Sequence, residues 1–281
     1  MKVLITGANG MLGRTLCREL QGCDIIPTDR RDADITDARH FDACMAIHKP
    51  DVVIHCAAMT GVDLCETEIE QAYRVNGVGT ANVAASCHRH GARLIAISTD
   101  YVFDGKLGHP YTEFDQPTGG ATVYGRSKWA GEQAVRVHCP EHVIARVSWL
   151  YGHGGPSFVH AMMKLADGTR PVLKVVDDQI GNPTSTLAVA EKIQELLARP
   201  EVVGTFHMSC EGRATWYQFA KKIFELAGRD QKVVPCSTDE YPRPAPRPKN
   251  SCMEKQMLRL QGFTPMINWE QDLERFLHDE F

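Results

Sequence analysis

The sequence predicts an α/β fold, a doubly wound parallel sheet followed by a smaller, irregular C-terminal cap. Three observations predict it. Short aliphatic and β-branched runs alternate with longer segments of helical periodicity through residues 1–150, the rhythm of right-handed βαβ crossovers. The runs are apolar nearly throughout, as strands covered on both faces are. A glycine cluster falls directly between the first such run and the first helical pattern.

Lys2 to Thr6 is a buried strand that stops at glycine,. Met11, Leu12, Leu16 and Leu20 then recur at helical spacing, and Asp24 to Thr28 forms a second strand closed by Asp29. A polar helix is expected over Ala38 to His48, a third strand over Asp51 to Ala58, and a long helix over Ala72 to His90. Leu94 to Ser98, Val123 to His138 and Val143 to Trp149 read as strand, helix and strand. Residues 1–150 are therefore expected to form one nucleotide-binding domain. Residues 151–281 form the cap, with some segments returning to the sheet. Helices are expected there at Ser157–Ala166, Leu187–Ala198, Trp216–Ala227 and Trp269–His278. Tyr241-Pro-Arg-Pro-Ala-Pro-Arg-Pro is a stiff extended segment,.

Composition narrows the class. Hydrophobic residues make up 43% and charged residues 23% of the chain, an ordinary globular balance,. A net charge of −4 gives no electrostatic reason to expect nucleic acid or an anionic membrane as partner,. The N-terminal apolar run is too short for a signal peptide, and no stretch approaches the roughly 20 apolar residues of a membrane span. A cytoplasmic location is expected. The ten cysteines are scattered without a C-x-x-C pair, so they read as reduced, mostly buried thiols, and no metal site is expected.

Gly7-Ala8-Asn9-Gly10-Met11-Leu12-Gly13 joins the first strand to the first helix. Glycine lets such a turn adopt angles other residues resist, and lets a pyrophosphate approach the main chain. The helix start adds free N–H groups and a positive dipole end. Together they read as the phosphate loop of a Rossmann-type dinucleotide site. Asp29 stands where a carboxylate accepts from ribose hydroxyls, which favours NADH, whereas Arg30 and Arg31 suit the extra phosphate of NADPH,. The choice between the two stays open.

Ser98-Thr99-Asp100 ends the fourth strand, and Tyr124 and Lys128 stand one turn apart at the start of the next helix,. A neighbouring ammonium is expected to lower the tyrosine pKa and suit the phenol to acid–base work. Thr99 can donate a hydrogen bond to a substrate carbonyl.

The glycine motif, the Ser98-Thr99 pair and Tyr124-x-x-x-Lys128 together resemble the extended short-chain dehydrogenase/reductases, over the whole chain. More narrowly, residues 57–63, 98–105, 146–152, 178–184 and 244–248 resemble, in order, blocks of the dTDP-4-dehydrorhamnose reductases. That resemblance implies reduction of the C4 ketone of dTDP-4-dehydro-L-rhamnose to dTDP-L-rhamnose, with Tyr124 as proton donor. Lys128 would hold the nicotinamide ribose and tune Tyr124, and Thr99 would touch the sugar. By the same matching Gly10, Met11 and Leu12 lie on the pyrophosphate, and Asp34 and Ile35 lie near the adenine. Ala58, Met59 and Thr60 line the cofactor trough, and Asp100 and Trp149 contact substrate. Arg247, in the proline-rich segment, is a further candidate for the nucleotide-sugar pyrophosphate.

Two positions depart from the family pattern. Thr15 stands where some members carry a glutamate that bridges a dimer through magnesium, so monomer and homodimer both stay open. Ser157 precedes Phe158-Val159 where relatives often carry asparagine. Alternative readings are another sugar-nucleotide 4-ketoreductase, a dehydratase or epimerase, or a regulatory subunit that keeps the fold. Asp100 is followed by Tyr101 rather than by the second acid of the dehydratases. His153 reads as a flexible-loop residue, and the Trp216, Tyr217 and Phe219 cluster as cap core.

Overall fold

The computed structural model describes residues 1–166 and 168–281. β1 (Lys2–Thr6), α1 (Met11–Glu19), β2 (Asp24–Thr28) and α2 (Ala38–His48) form where the periodicity places them. β3 is shorter than its apolar run and covers only Val52–His55, so residues 56–58 leave the sheet.

The long helix expected over Ala72 to His90 is not one α-helix. After α3 (Val62–Thr67) and α4 (Ile69–Ala72), residues Tyr73–Gly79 wind as a π-helix before α5 (Thr80–His90). Asn76 accounts for the wider turn. Its buried amide donates to Met59 O and Ser127 Oγ, both at 3.0 Å, and accepts from Met59 N at 2.8 Å. Such bulges are typical of functional sites.

β4 (Arg93–Thr99), α6 (Val123–His138) and β5 (His142–Val147) complete the first half. The second half contains β6 (Leu150–Tyr151), α7 (Phe158–Leu165), β7 (Leu173–Val176), β8 (Ile180–Gly181) and β9 (Thr184–Ser185). It continues through α8 (Thr186–Leu197), β10 (Gly204–His207), β11 (Ala214–Thr215) and α9 (Trp216–Leu226). β12 (Val233–Cys236), α10 (Gln256–Leu260) and α11 (Trp269–Glu280) follow.

The main sheet has six parallel strands in the order β10-β5-β4-β3-β1-β2. The chain steps from β1 outward to β2, then returns to β3 on the opposite side. A crevice opens at such a switch point, at the carboxyl ends of the strands. The site elements all leave from there.

Residues beyond 151 do not all stand apart from this sheet. β10 is its edge strand, and one core joins Val3, Leu16 and Ala145 to Ile193, Phe219 and Leu273. Buried Thr15 donates to Thr186 Oγ1 at 2.8 Å and so faces α8. The Tyr241–Pro248 segment forms neither helix nor strand and packs back, with Ala245 N donating to Asp63 Oδ1 at 3.1 Å.

Asp272 of α11 ties the second half together from a buried position. It accepts from Tyr151 Oη at 3.0 Å, Ser185 N at 2.8 Å and Ser185 Oγ at 2.7 Å. Asp272→Ala strands several buried donors and should lower the unfolding free energy by about 3 kcal/mol. Urea denaturation reads this as a lower midpoint at unchanged slope. An unmoved midpoint would contradict the role.

Candidate active site

The glycine loop has no room for a side chain at Gly7 or Gly13. Gly7 has a φ of 65°, and a Cβ there would lie 2.8 Å from Ala57 Cα. A Cβ at Gly13 would lie 2.3 Å from Gly7 O. Gly10 caps α1 without a side-chain bond, so the first N–H groups of the helix are left for an anion,.

This loop lines one cleft of about 690 Å³ together with the residues at the ends of β2 and β4 and the start of α6. The cleft gathers Gly7, Gly10, Met11, Leu12, Gly13, Asp29, Arg30, Asp34, Ile35, Ala58 and Thr60 with Thr99, Asp100, Tyr124, Lys128 and Trp149. Met59 and Arg247 are not on its walls. The Met59 backbone is held by Asn76, and Arg247 donates to Asp63 Oδ2 and Ala245 O, each at 2.9 Å.

At the nucleoside end, Asp29 accepts from Asn9 Nδ2 at 2.6 Å and from Arg31 N at 2.7 Å. The main-chain bond from Arg31 holds its carboxyl below the ordinary value. Arg30 donates to Asp34 Oδ2 at 3.3 Å with its side chain still 81% exposed, free to swing toward a ligand.

At the reactive end, Thr122 caps α6 by accepting from Gly125 N at 2.9 Å,. Tyr124 and Lys128 thus occupy its first two turns, and Lys128 Nζ donates to Ile97 O at 2.7 Å. Thr99 Oγ1 donates to Asp100 Oδ1 at 2.9 Å, and Ser148 Oγ donates to Asp100 Oδ2 at 3.0 Å. The rings of Tyr101 and Tyr124 meet edge to face at 5.6 Å.

Burial governs the titration of this end. It pushes the Tyr124 phenol well above its ordinary value, with Thr99 hydrogen-bonding in opposition and Asp100 adding to the rise. The expected lowering by Lys128 does not occur. Burial outweighs it, and the same burial brings Lys128 itself down to about 8. The same desolvation raises Asp100 to about 6, against hydrogen bonds from Ser251, Thr99 and Ser148.

Several residues of the site escape a reading of the sequence. Glu132 accepts from Ser98 Oγ at 2.6 Å and from two nitrogens of Arg146 at 2.9 and 2.8 Å, beneath the cleft. Its place one turn after Lys128 was the available signal. Trp216 is not simply cap core. It lines the cleft and stacks on Trp149, ring centroids 3.5 Å apart, whereas Phe219 is buried in the core. His153 is not a free loop residue, because it pairs with Glu280, which His160 also contacts at 2.9 Å. Trp149 has a φ of 46°, a conformation that costs about 1–3 kcal/mol outside glycine and gathers at functional sites,.

The fold and this cleft define the class, a Rossmann-type oxidoreductase of the short-chain dehydrogenase kind. A sequence model described as the RmlD substrate binding domain matches residues 1–281. The dTDP-4-dehydrorhamnose reductase of Streptomyces griseus is 42% identical over 96% of this chain and 91% of its own. The spore coat polysaccharide biosynthesis protein SpsK of Bacillus subtilis is 40% identical over 99% and 97%. Among solved structures, the dTDP-4-dehydrorhamnose reductase of Bacillus anthracis in complex with NADP superposes with a TM-score of 0.96 at 43% identity, covering 99% of both chains. The chain belongs to the dTDP-4-dehydrorhamnose reductase family.

The raised Asp100 carboxyl has a thermodynamic consequence. A group whose folded pKa lies above its unfolded value loses stability as pH climbs between the two. For Asp100 that window runs from 3.8 to about 6. Asp100→Asn should therefore gain stability relative to the unsubstituted protein across this window, with a plateau above it. Parallel unfolding curves at each pH would show a constant difference if Asp100 titrates normally.

Proposed function

We propose that the protein catalyses NADPH- or NADH-dependent reduction of the C4 ketone of dTDP-4-dehydro-L-rhamnose to dTDP-L-rhamnose. The observation that carries the reading is the single cleft that joins the glycine loop to Thr99, Tyr124 and Lys128. The relatives named for this reaction, and the NADP complex among them, support it.

The residues present fit a nicotinamide dinucleotide. The side-chain-free glycines and the start of α1 receive the pyrophosphate, and Asp29, Arg30, Asp34 and Ile35 surround the adenosine. Ala58 and Thr60 line the trough directly, and Asn76 holds the Met59 backbone between them. Both dinucleotides fit, with Asp29 on ribose hydroxyls or Arg30 on a 2′-phosphate. When bound, the cofactor supplies the hydride that reaches C4.

The chain's own groups handle the proton and the geometry. Tyr124 donates its proton to the oxygen at C4 as the hydride arrives. Its burial-raised pKa keeps the phenol protonated, the form a reduction requires,. Thr99 hydrogen-bonds Tyr124 and orients the carbonyl, while Lys128 holds the nicotinamide ribose. Asp100 and Trp149 contact the sugar.

In this reading residues 1–150 bind the cofactor, and most of 151–281 shapes the sugar site. The enzyme works in the cytoplasm on a small nucleotide sugar, as monomer or homodimer, without a nucleic-acid or membrane partner. The net charge of −4 offers a phosphate backbone no attraction,.

Tyr124→Phe should lower kcat by about 10²–10⁴ while cofactor affinity holds, because the hydroxyl acts in proton transfer. Near-normal turnover would remove the central role given to Tyr124. Lys128 at about 8 also sets a basic limb, since its charge is lost as pH rises through that value. A kcat/KM profile that stays level past pH 9, roughly one unit beyond that value, contradicts the role of the ammonium.

A further inference from the structure

The block 178–184 has no part in the chemistry above, yet it is built around one cleft residue. Gly181 lies in β8, where a Cβ would come within 2.4 Å of Trp149 Cε2 and 2.5 Å of its Nε1. Only a glycine leaves a slot there for the indole. Antiparallel pairing of Ala214 with Gly181 and of Thr215 with Ile180 then delivers the next residue, Trp216, to the same place. The two indoles stack at 3.5 Å with their planes 4° apart.

Trp216 is fixed in turn. Its Nε1 donates to Gln179 Oε1 at 3.1 Å, and Gln179 Nε2 donates to Thr238 Oγ1 at 2.9 Å. Phe158 packs against it with a centroid distance of 4.6 Å. The left-handed backbone of Trp149 is thus over-determined by a glycine slot and a stacked partner. Both indoles border the cleft that holds Thr99 and Tyr124.

We propose that Trp216 is a second specificity-determining residue of the sugar-nucleotide site, and that Gly181 is the positioning residue that seats Trp149 beside it. The stacked pair is a rigid apolar wall for the sugar nucleotide, with one indole from each half of the chain. Removing either support lets Trp149 relax from its left-handed conformation and misplaces the ketone. This assignment rests on the reductase reading.

The test uses the full-length protein with NADPH and dTDP-4-dehydro-L-rhamnose. Gly181→Ala and Trp216→Leu should each raise the sugar-nucleotide KM about tenfold or more. NADPH affinity, followed by its fluorescence, should stay unchanged, which also shows that the variants are folded. Trp216→Phe keeps a stacking ring and should recover most of the loss. The Gly181→Ala effect should shrink in a Trp149→Ala background, because the clash has no indole left to act on. Unchanged KM in both single variants, or equal Gly181→Ala losses with and without Trp149, overturns the assignment while the reductase reading stands. Wild-type protein that turns over no 4-keto sugar nucleotide overturns both.

Discussion

The buried pairing of Glu132 with Arg146 is the constraint on which the geometry of the site depends. Arg146 stands on β5 and is 1% exposed, Glu132 stands on α6, and Ser98 at the end of β4 donates to the same carboxylate. A buried ion is tolerable only when its partners sit in good hydrogen-bonding geometry. Burial alone would raise the Glu132 carboxyl, yet Arg146 overrides it and holds the group below its ordinary value. The two strands and the helix therefore have one mutual seating. Lys128 lies one turn before Glu132 and Tyr124 another turn before that, on the same face. Fixing Glu132 against Ser98 fixes both groups relative to Thr99, the next residue of the strand.

Beneath this arrangement lies a division of labour between apolar and polar contacts. The sheet and its covering helices are held by apolar burial, which tolerates small shifts. The groups at the carboxyl ends of the strands are held by directional bonds that do not. His55 shows the second kind. It lies within hydrogen-bonding distance of Thr6 Oγ1 at 2.8 Å and of Thr80 Oγ1 at 3.1 Å, and burial drops its pKa to about 3. It is a neutral pin between β1, β3 and α5 rather than a titrating group. Inside the cleft, burial moves Tyr124, Asp100 and Lys128 each toward its uncharged form. Low polarity of this kind strengthens every remaining hydrogen bond.

What could be read from the sequence was what local chemistry decides. The glycine loop, the five parallel strands of the first half and the Tyr124–Lys128 spacing are set by backbone sterics, by apolar runs and by the helical repeat. The π-turn at Tyr73–Gly79 was hidden because it depends on Asn76 reaching Met59 and Ser127, partners remote in sequence. β10 gave no strong pattern, since four residues at a sheet edge need little apolar repetition. Trp216 looked like core because an aromatic cluster at helical spacing usually is. Only the β8–β11 ladder turns its indole to Trp149. Arg247, a candidate for the pyrophosphate, is paired with Asp63, a contact that no local pattern announces.

Hydride delivery to C4 of the nucleotide sugar can be followed by isotope transfer. NADPH carrying deuterium on the reactive face of its nicotinamide would be incubated with the protein and dTDP-4-dehydro-L-rhamnose, and the product examined by NMR. Hydride delivery to C4 gives dTDP-L-rhamnose with deuterium at C4 and nowhere else on the sugar. Product without that label, or label at another carbon, would contradict it.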